Sequence, residues 1–220
     1  IYRIFPILGL DFETPFKINN SKNDLVYTPK LSFVISPGKS NTNRISNEDS
    51  SINSYTIDNN SNLNRFSGND KLDNSKRINL SFNTKNDKID ATIMQSYEFT
   101  NNSNYHYSQG NEKKLSDLLG VFEYKENEIS STYNIRYDTY SDFVKSQNLD
   151  LGYKNRIGSF NISYLDQKSK TDEIIVTDKE TLNYSFNSEK INKYSKISYF
   201  GLYDLKKEMN KESGLAYSYF

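Results

Sequence analysis

The sequence predicts an all-β fold, namely an up-and-down antiparallel transmembrane β-barrel, to which these 220 residues contribute about eleven strands. Two observations predict this fold. Apolar residues recur at every second position in many segments, and the links between these segments alternate between short and long. We expect residues 1–220 to form part of one outer-membrane β-barrel domain. Such a partial barrel can also take the form of a curved open sheet, because an incomplete barrel leaves two edge strands.

The alternation of apolar and polar residues is clearest in the segment ISSTYNIRYD, which begins at Ile129. Here Ile129, Ile135 and Tyr137 share one face of the predicted strand, and polar residues share the other. A period of two is typical of a strand with one apolar and one polar face. The same pattern predicts further strands at residues 8–14, 31–35, 78–84, 89–93, 149–153, 160–164, 182–186, 197–203 and 215–219. A less regular strand is predicted at 118–125, where Glu123 would share a face with Leu119 and Val121.

The links between the strands differ in length in a regular way. Short links are predicted at residues 85–88, 126–127, 154–156 and 189–193, and long links at 37–76, 100–115, 139–146, 169–179 and 204–212. Only the first link, at 15–24, is longer than its place in this series predicts. Outer-membrane barrels have short periplasmic turns and longer external loops, whereas a soluble sandwich has no reason to sort its loops in this way. The link at 37–76 is therefore predicted to be a long extracellular-type loop.

The two faces of the predicted strands also fit a barrel wall. The apolar series contain no Arg or Lys, which would cost roughly 2 to 4 kcal/mol at the centre of a bilayer. The opposite positions are rich in Ser, Asn, Thr, Lys and Asp, as expected for residues that line a water-filled lumen. The sequence thus predicts one lipid-facing side and one polar side.

Composition and motifs argue against several classes of function. Because 28 basic residues balance 28 acidic ones, the chain has no net positive charge that would attract nucleic acid. The chain has no Cys and one His, His106, which excludes thiolate sites and most catalysis that depends on His. No apolar stretch approaches the roughly 20 residues of a transmembrane helix, and no phosphate-binding loop or nucleophile elbow is present. We therefore expect no enzymatic activity, no cofactor and no metal. The adjacent carboxylates Glu48 and Asp49 are only a weak candidate for a divalent cation site.

One block of the chain, residues 27–82, resembles the barrel region of the LptD family, the lipopolysaccharide-assembly proteins of the Gram-negative outer membrane. The strand before Pro37 and the run Asn47, Glu48, Asp49 and Ser50 have counterparts in that family. The most specific part is the family's NRFSGxDR signature, which here reads Asn64, Arg65, Phe66, Ser67, Gly68, Asn69, Asp70 and Lys71. Lys71 stands where the family usually has Arg, which keeps the charge but loses the bidentate fork.

This resemblance implies a location and a function. It implies that the chain is an internal or C-terminally truncated fragment of an outer-membrane component that inserts lipopolysaccharide into the outer leaflet. The implied partners are lipopolysaccharide, outer-membrane lipid, the plug lipoprotein LptE and the periplasmic Lpt bridge. Two alternatives remain open, a generic porin or receptor barrel and a soluble extracellular adhesin-like β-sheet.

The signature at 64–71 has two possible roles. A long loop without periodicity is usually either functional or disordered. The first interpretation is that the signature anchors the loop back onto the barrel rim or lumen wall. The second is direct contact with passing lipopolysaccharide or with the plug partner.

Overall fold

The computed structural model describes residues 4–18, 24–36, 56–68, 70–100, 114–171, 174–189 and 194–219, and these residues form twelve strands and one short helix. Within these ranges no helix is long and apolar enough to cross a membrane. The predictions for Pro37, Asn47, Glu48, Asp49, Ser50, Asn69 and His106 lie outside the described residues. The strands are β1 (Leu8–Glu13), β2 (Phe16–Ile18), β3 (Leu25–Ile35), β4 (Lys76–Lys85), β5 (Ile89–Glu98), β6 (Leu118–Glu126), β7 (Ile129–Asp138), β8 (Phe143–Lys154), β9 (Gly158–Thr171), β10 (Ile174–Ser188), β11 (Ser195–Asp204) and β12 (Met209–Tyr219), and the helix is α1 (Ile57–Ser61).

The strands form an antiparallel up-and-down sheet in the order β1-β3-β4-β5-β6-β7-β8-β9-β10-β11-β12, with β2 paired to β3. The predicted all-β, up-and-down antiparallel fold is therefore confirmed, as an open sheet. The additional strand is β2, in which Phe16 lies opposite Tyr27 and continues the pairing that β1 makes with β3. Because β2 extends the first strand past Pro15, the first link is confined to residues 19–24, so the predicted link at 15–24 was too long.

Three of the predicted long links are wrong. The links at 139–146, 169–179 and 204–212 are reduced to residues 139–142, 172–173 and 205–208, because the flanking strands continue beyond the segments in which apolar and polar residues alternate. The pairing of β9 with β10, for example, extends from Gly158 opposite Ser188 to Thr171 opposite Ile174, with one irregularity between Thr177 and Lys179. Strand pairing depends on backbone hydrogen bonds, so a ladder does not stop where the apolar alternation stops. The links at 36–75 and 99–117 do remain long.

The chain forms two compact units. The first contains Ile1–Asn86, Thr92–Gly120 and Asp138–Asp142, and the second contains Asp87–Ala91, Val121–Tyr137 and Phe143–Phe220. In the first unit, Leu31 lies opposite Leu80 and Phe33 opposite Ile78 on the apolar face of the strands. In the second, the ring centroids of Phe160 and Phe186 lie 4.5 Å apart on the apolar face of β9 and β10.

Candidate functional site

The segment 56–75 of the link between β3 and β4 folds against the polar face of the first unit. Its helix α1 begins after Thr56, whose Oγ1 accepts a hydrogen bond from the backbone N–H of Asn59 at 3.3 Å. This N-cap partly compensates for the small number of backbone hydrogen bonds in so short a helix. The helix therefore depends on its contacts with the sheet.

Asn60 makes those contacts. Its side chain is fully buried, and its Nδ2 donates a hydrogen bond to Oγ of Ser96 on β5. Ser96 Oγ in turn donates to Oδ1 of Asn79 on β4 at 2.7 Å, and Asn79 Nδ2 donates to the backbone carbonyl of Asn60 at 3.1 Å. These three residues close a neutral polar triangle that holds α1 on two neighbouring strands.

A second contact is ionic and centres on Arg65. The Arg65 Nε lies 2.6 Å from Asp73 Oδ2, and its Nη2 lies 3.1 Å from Asp73 Oδ1, so that the guanidinium binds the carboxylate with two parallel hydrogen bonds. The same Nη2 lies 3.0 Å from Oε2 of Glu98, at the end of β5. Arg65 and Asp73 are both completely buried. Bidentate arginine and carboxylate pairs are among the strongest polar contacts in proteins.

Arg77 completes this group, which we call the Arg65 cluster: Arg65, Asp73, Arg77 and Glu98. The Nη1 of Arg77 lies 2.9 Å from Asp73 Oδ2, and its Nη2 donates to the backbone carbonyls of Asn62 and Leu63. The cluster therefore has two guanidinium and two carboxylate groups, and its formal charges cancel. Cancellation matters because an unpaired charge in a buried site costs several kcal/mol.

Glu98 connects the cluster to the ends of the strands. Its Oε2 accepts from Ser75 Oγ at 2.6 Å, while its Oε1 accepts from the backbone N–H of Lys76 at 2.9 Å and from Thr100 Oγ1 at 2.7 Å. The backbone N–H of Ser36 donates to the carbonyl of Ser75 at 2.9 Å, and the N–H of Ser75 donates to Ser36 Oγ at 2.7 Å. These bonds join the two ends of the link to each other and to β5.

The signature residues occupy three different environments. Asn64 bridges the turn, since its Oδ1 accepts from the N–H groups of Asp73 at 3.0 Å and Phe66 at 3.4 Å, and its Nδ2 donates to the carbonyl of Lys71 at 3.4 Å. Arg65 and Phe66 are buried. Gly68 is exposed and has a φ of 79°, a left-handed conformation that glycine adopts without strain. Ser67, Asp70 and Lys71 are partly buried.

Phe66 explains why β6 does not follow the expected alternation. Phe66 and Leu119 are 4% exposed each and form a small apolar cluster with Ile57. Phe122, of opposite parity in the same strand, is 41% exposed. Leu119 is therefore buried on the polar side of the strand, because the folded segment supplies an apolar contact there. Glu123, which alternation places on the same side as Leu119, therefore lies on the polar side as well.

The sequence pattern identified Arg65 and Phe66 but missed most of their partners. Asp73, Ser75, Arg77, Glu98 and Asn60 were not singled out, and the structure brings all five against the polar face. One available signal was the position of Arg77 and Asn79 on the polar side of a regular strand.

The Arg65 cluster is closed to solvent, and its charged groups already bind one another. Its geometry therefore suits the fixing of a chain segment rather than the binding of a ligand.

These observations define the class of protein. An antiparallel up-and-down sheet whose strands have one apolar and one polar face is the structure from which outer-membrane β-barrels are built. The family model for LptD, described as LPS transport system D, matches residues 1–208, so the chain belongs to the LptD family. No curated protein shows a significant sequence match to the chain.

Proposed function

We propose that this chain is part of an outer-membrane β-barrel that accepts lipopolysaccharide from the periplasm and inserts it into the outer leaflet of the outer membrane. The observation that carries this proposal is the match to the LptD family over residues 1–208. The arrangement of the strand faces supports it, because a barrel wall needs one side that contacts acyl chains and one that contacts a hydrated saccharide.

The outer membrane is the proposed location. In the first unit Leu80 and Phe82 are 46% and 50% exposed, and in the second Phe160 and Ile162 are 43% and 47% exposed. Contiguous exposed apolar surface is unfavourable in water and indicates contact with another apolar phase. Lipid acyl chains fit a surface that follows alternate residues of successive strands.

We further propose that the Arg65 cluster anchors segment 56–75 as a permanent covering of the polar face of β3, β4 and β5. The side chains of Arg77 and Asn79, which occupy positions that would otherwise contact water, are 2% and 1% exposed. Lipopolysaccharide would then pass along other parts of the polar face. In this proposal the signature has an anchoring role, and direct contact with lipopolysaccharide or the plug partner is the alternative.

The proposed partners follow from the family. They are lipopolysaccharide and outer-membrane lipid, the plug lipoprotein LptE, and the periplasmic bridge of the Lpt system. Purification of the affinity-tagged protein from outer membranes in mild detergent, followed by mass spectrometry, tests the protein partners. Recovery of a lipoprotein in equal amount supports the plug, and its consistent absence contradicts it.

Depletion of the protein tests the function itself. Cells in which its synthesis is switched off should lose newly made lipopolysaccharide from the cell surface, measured with a membrane-impermeant label after a pulse of radioactive sugar. An unrelated outer-membrane protein serves as the control for general envelope damage. Unchanged surface lipopolysaccharide would contradict the proposal. If uptake of small solutes fell instead, a porin would be favoured, and recovery of the protein in the soluble fraction would favour an adhesin-like sheet.

A further inference from the structure

The polar face of the second unit contains an exposed aromatic ring. Phe200 on β11 lies opposite Ser185 of β10 and Gly214 of β12, whereas the preceding residue, Tyr199, lies on the apolar face opposite Phe186. The Phe200 side chain is 43% exposed. An apolar ring at this position has no part in the lipid contact that explains the exposed residues of the other face.

The ring of Phe200 lies over Gly214. A Cβ atom placed on Gly214 would be 2.5 Å from Cε1 and 2.7 Å from Cζ of Phe200, so only glycine leaves the space that the ring now occupies. The ring therefore rests against the backbone of β12 while much of its surface stays open. This geometry makes Phe200 a flat platform on the polar face.

On the β10 side, uncharged hydrogen-bonding side chains flank this platform. Ser185 lies directly opposite Phe200, and Asn183 and Asn187 lie at the diagonal positions on β10, about 7 to 8 Å away. Both Asn side chains are exposed, and neither carboxamide has a hydrogen-bond partner within the described residues. Ser198, opposite Asn187, continues the same surface. On β12 the diagonal neighbour of Phe200 on this face is the exposed Glu212, which lies opposite Leu202, so the surface includes one carboxylate.

We propose that Phe200, Gly214, Asn183, Ser185 and Asn187 form a binding surface for neutral sugar residues. This inference rests on the proposed function and assigns the saccharide part of the substrate to a particular place on the polar face. The negative π face of an aromatic ring attracts the weakly positive C–H groups on one side of a pyranose. Carboxamides both donate and accept, which matches sugar hydroxyls. A phosphorylated ligand would instead require cationic side chains around the ring, whereas the charged group next to Phe200 is the carboxylate of Glu212.

Two glycine variants make a matched pair for the test. Gly214→Ala places a methyl group against the Phe200 ring and displaces it from the backbone, without removing the aromatic group. Gly152→Ala makes the same chemical change on the same face of β8, three strands from Phe200, where the new methyl group meets Ser130 Oγ instead. Phe200→Ala removes the platform, and Phe200→Trp preserves it.

The experiment titrates the full-length protein in detergent with lipid-free saccharide, released by mild acid from lipopolysaccharide of the same cells, and follows binding by saturation-transfer NMR. We expect Phe200→Ala to weaken binding about tenfold, which is the upper range for one aromatic contact. Gly214→Ala should also weaken binding, whereas Phe200→Trp and Gly152→Ala should bind as the unaltered protein does. Heat-modifiable migration in gels verifies that each variant is folded. If Phe200→Ala does not fold, the comparison of saccharide binding by Gly214→Ala and Gly152→Ala tests the proposal.

Absence of saccharide binding by the unaltered protein would overturn the inference, as would equal binding by Gly214→Ala and Gly152→Ala. Either result leaves the depletion experiment unaffected, so the inference and the proposed function fail separately. Conversely, saccharide binding that requires Phe200, together with unchanged surface lipopolysaccharide on depletion, would identify a sugar-binding barrel with a different task.

Discussion

Arg65 and Asp73, which are eight positions apart in the chain, form a bidentate ion pair, and neither side chain is exposed to solvent. Asp73 also binds Arg77, and Arg65 also binds Glu98, so the pair is the centre of an electrically neutral group of four. A buried ion pair adds little net stability compared with apolar packing, but the loss of one partner is expensive. In the proposed anchoring role, the group holds segment 56–75 against the polar face through these contacts.

The first prediction concerns Arg65. Arg65→Ala should lower the free energy of unfolding by about 3 to 5 kcal/mol, because Glu98 loses its arginine partner and Asp73 keeps only Arg77, so the buried cluster has one uncompensated negative charge. Urea unfolding of the protein in detergent measures this loss. Arg156→Ala, which removes an exposed arginine from the turn between β8 and β9, should change stability by no more than about 0.5 kcal/mol.

A conservative variant separates charge from geometry at the same position. Arg65→Lys keeps the positive charge but has no planar fork to bind Asp73 while reaching Glu98. We expect its stability to lie between those of Arg65→Ala and the unaltered protein. If the lysine variant were as stable as the unaltered protein, the bidentate geometry would be irrelevant to the anchoring.

The second prediction concerns the polar triangle under α1. Asn60→Ala removes the donor to Ser96 and should cost about 1 to 3 kcal/mol, since polar groups of the triangle remain buried without partners. Limited proteolysis should then cut near residues 56–62 sooner, while the turn at 65–73 stays protected by the Arg65 cluster. Asn62→Ala, whose side chain is exposed, is the control. Simultaneous release of both regions would show that the triangle and the cluster are one cooperative unit.

The third prediction concerns the contact between Phe66 and Leu119. Leu119→Ala should destabilise the protein by about 2 to 5 kcal/mol, as expected for truncation of a buried leucine. A double-mutant cycle with Phe66→Ala should give a coupling energy of at least about 0.5 kcal/mol. The same cycle between Phe66 and Phe82, which lies on the apolar face, should be additive. Additive behaviour of Phe66 and Leu119 would contradict the proposed reason for the altered alternation in β6.

The fourth prediction tests the lipid-facing side. Ile162→Lys, at the middle of the apolar face of β9, should lower stability in lipid bilayers by roughly 2 to 4 kcal/mol. Ser163→Lys, one residue further along on the polar face, should have little effect, because it lies opposite Asp150. Folding into phospholipid vesicles, followed by urea titration, measures both. Equal tolerance of the two lysines would argue against membrane contact of this strand.

The sequence alone predicted most of the described strands and, in regular strands such as β4, the face on which each residue lies. Ile78 and Leu80 follow the alternation, and they pair with Phe33 and Leu31 on one face as expected. Strand ends were predicted less well. In β9 and β10 the apolar pattern stops near Tyr164 and Leu182, whereas the backbone ladder continues to Thr171 and Ile174. Side-chain periodicity reports contact with lipid or core, and hydrogen bonding between strands does not require it.

The period of two and the signature at 64–71 were thus sufficient to determine the fold class and the family of this chain. Only the tertiary structure decided that segment 56–75 covers the polar face, that Arg65 binds Asp73 and Glu98, and that Leu119 turns toward Phe66. The reason is physical. Alternation is a local property of each strand, whereas the partners of one buried arginine are selected from 28 acidic residues by the way in which distant segments meet.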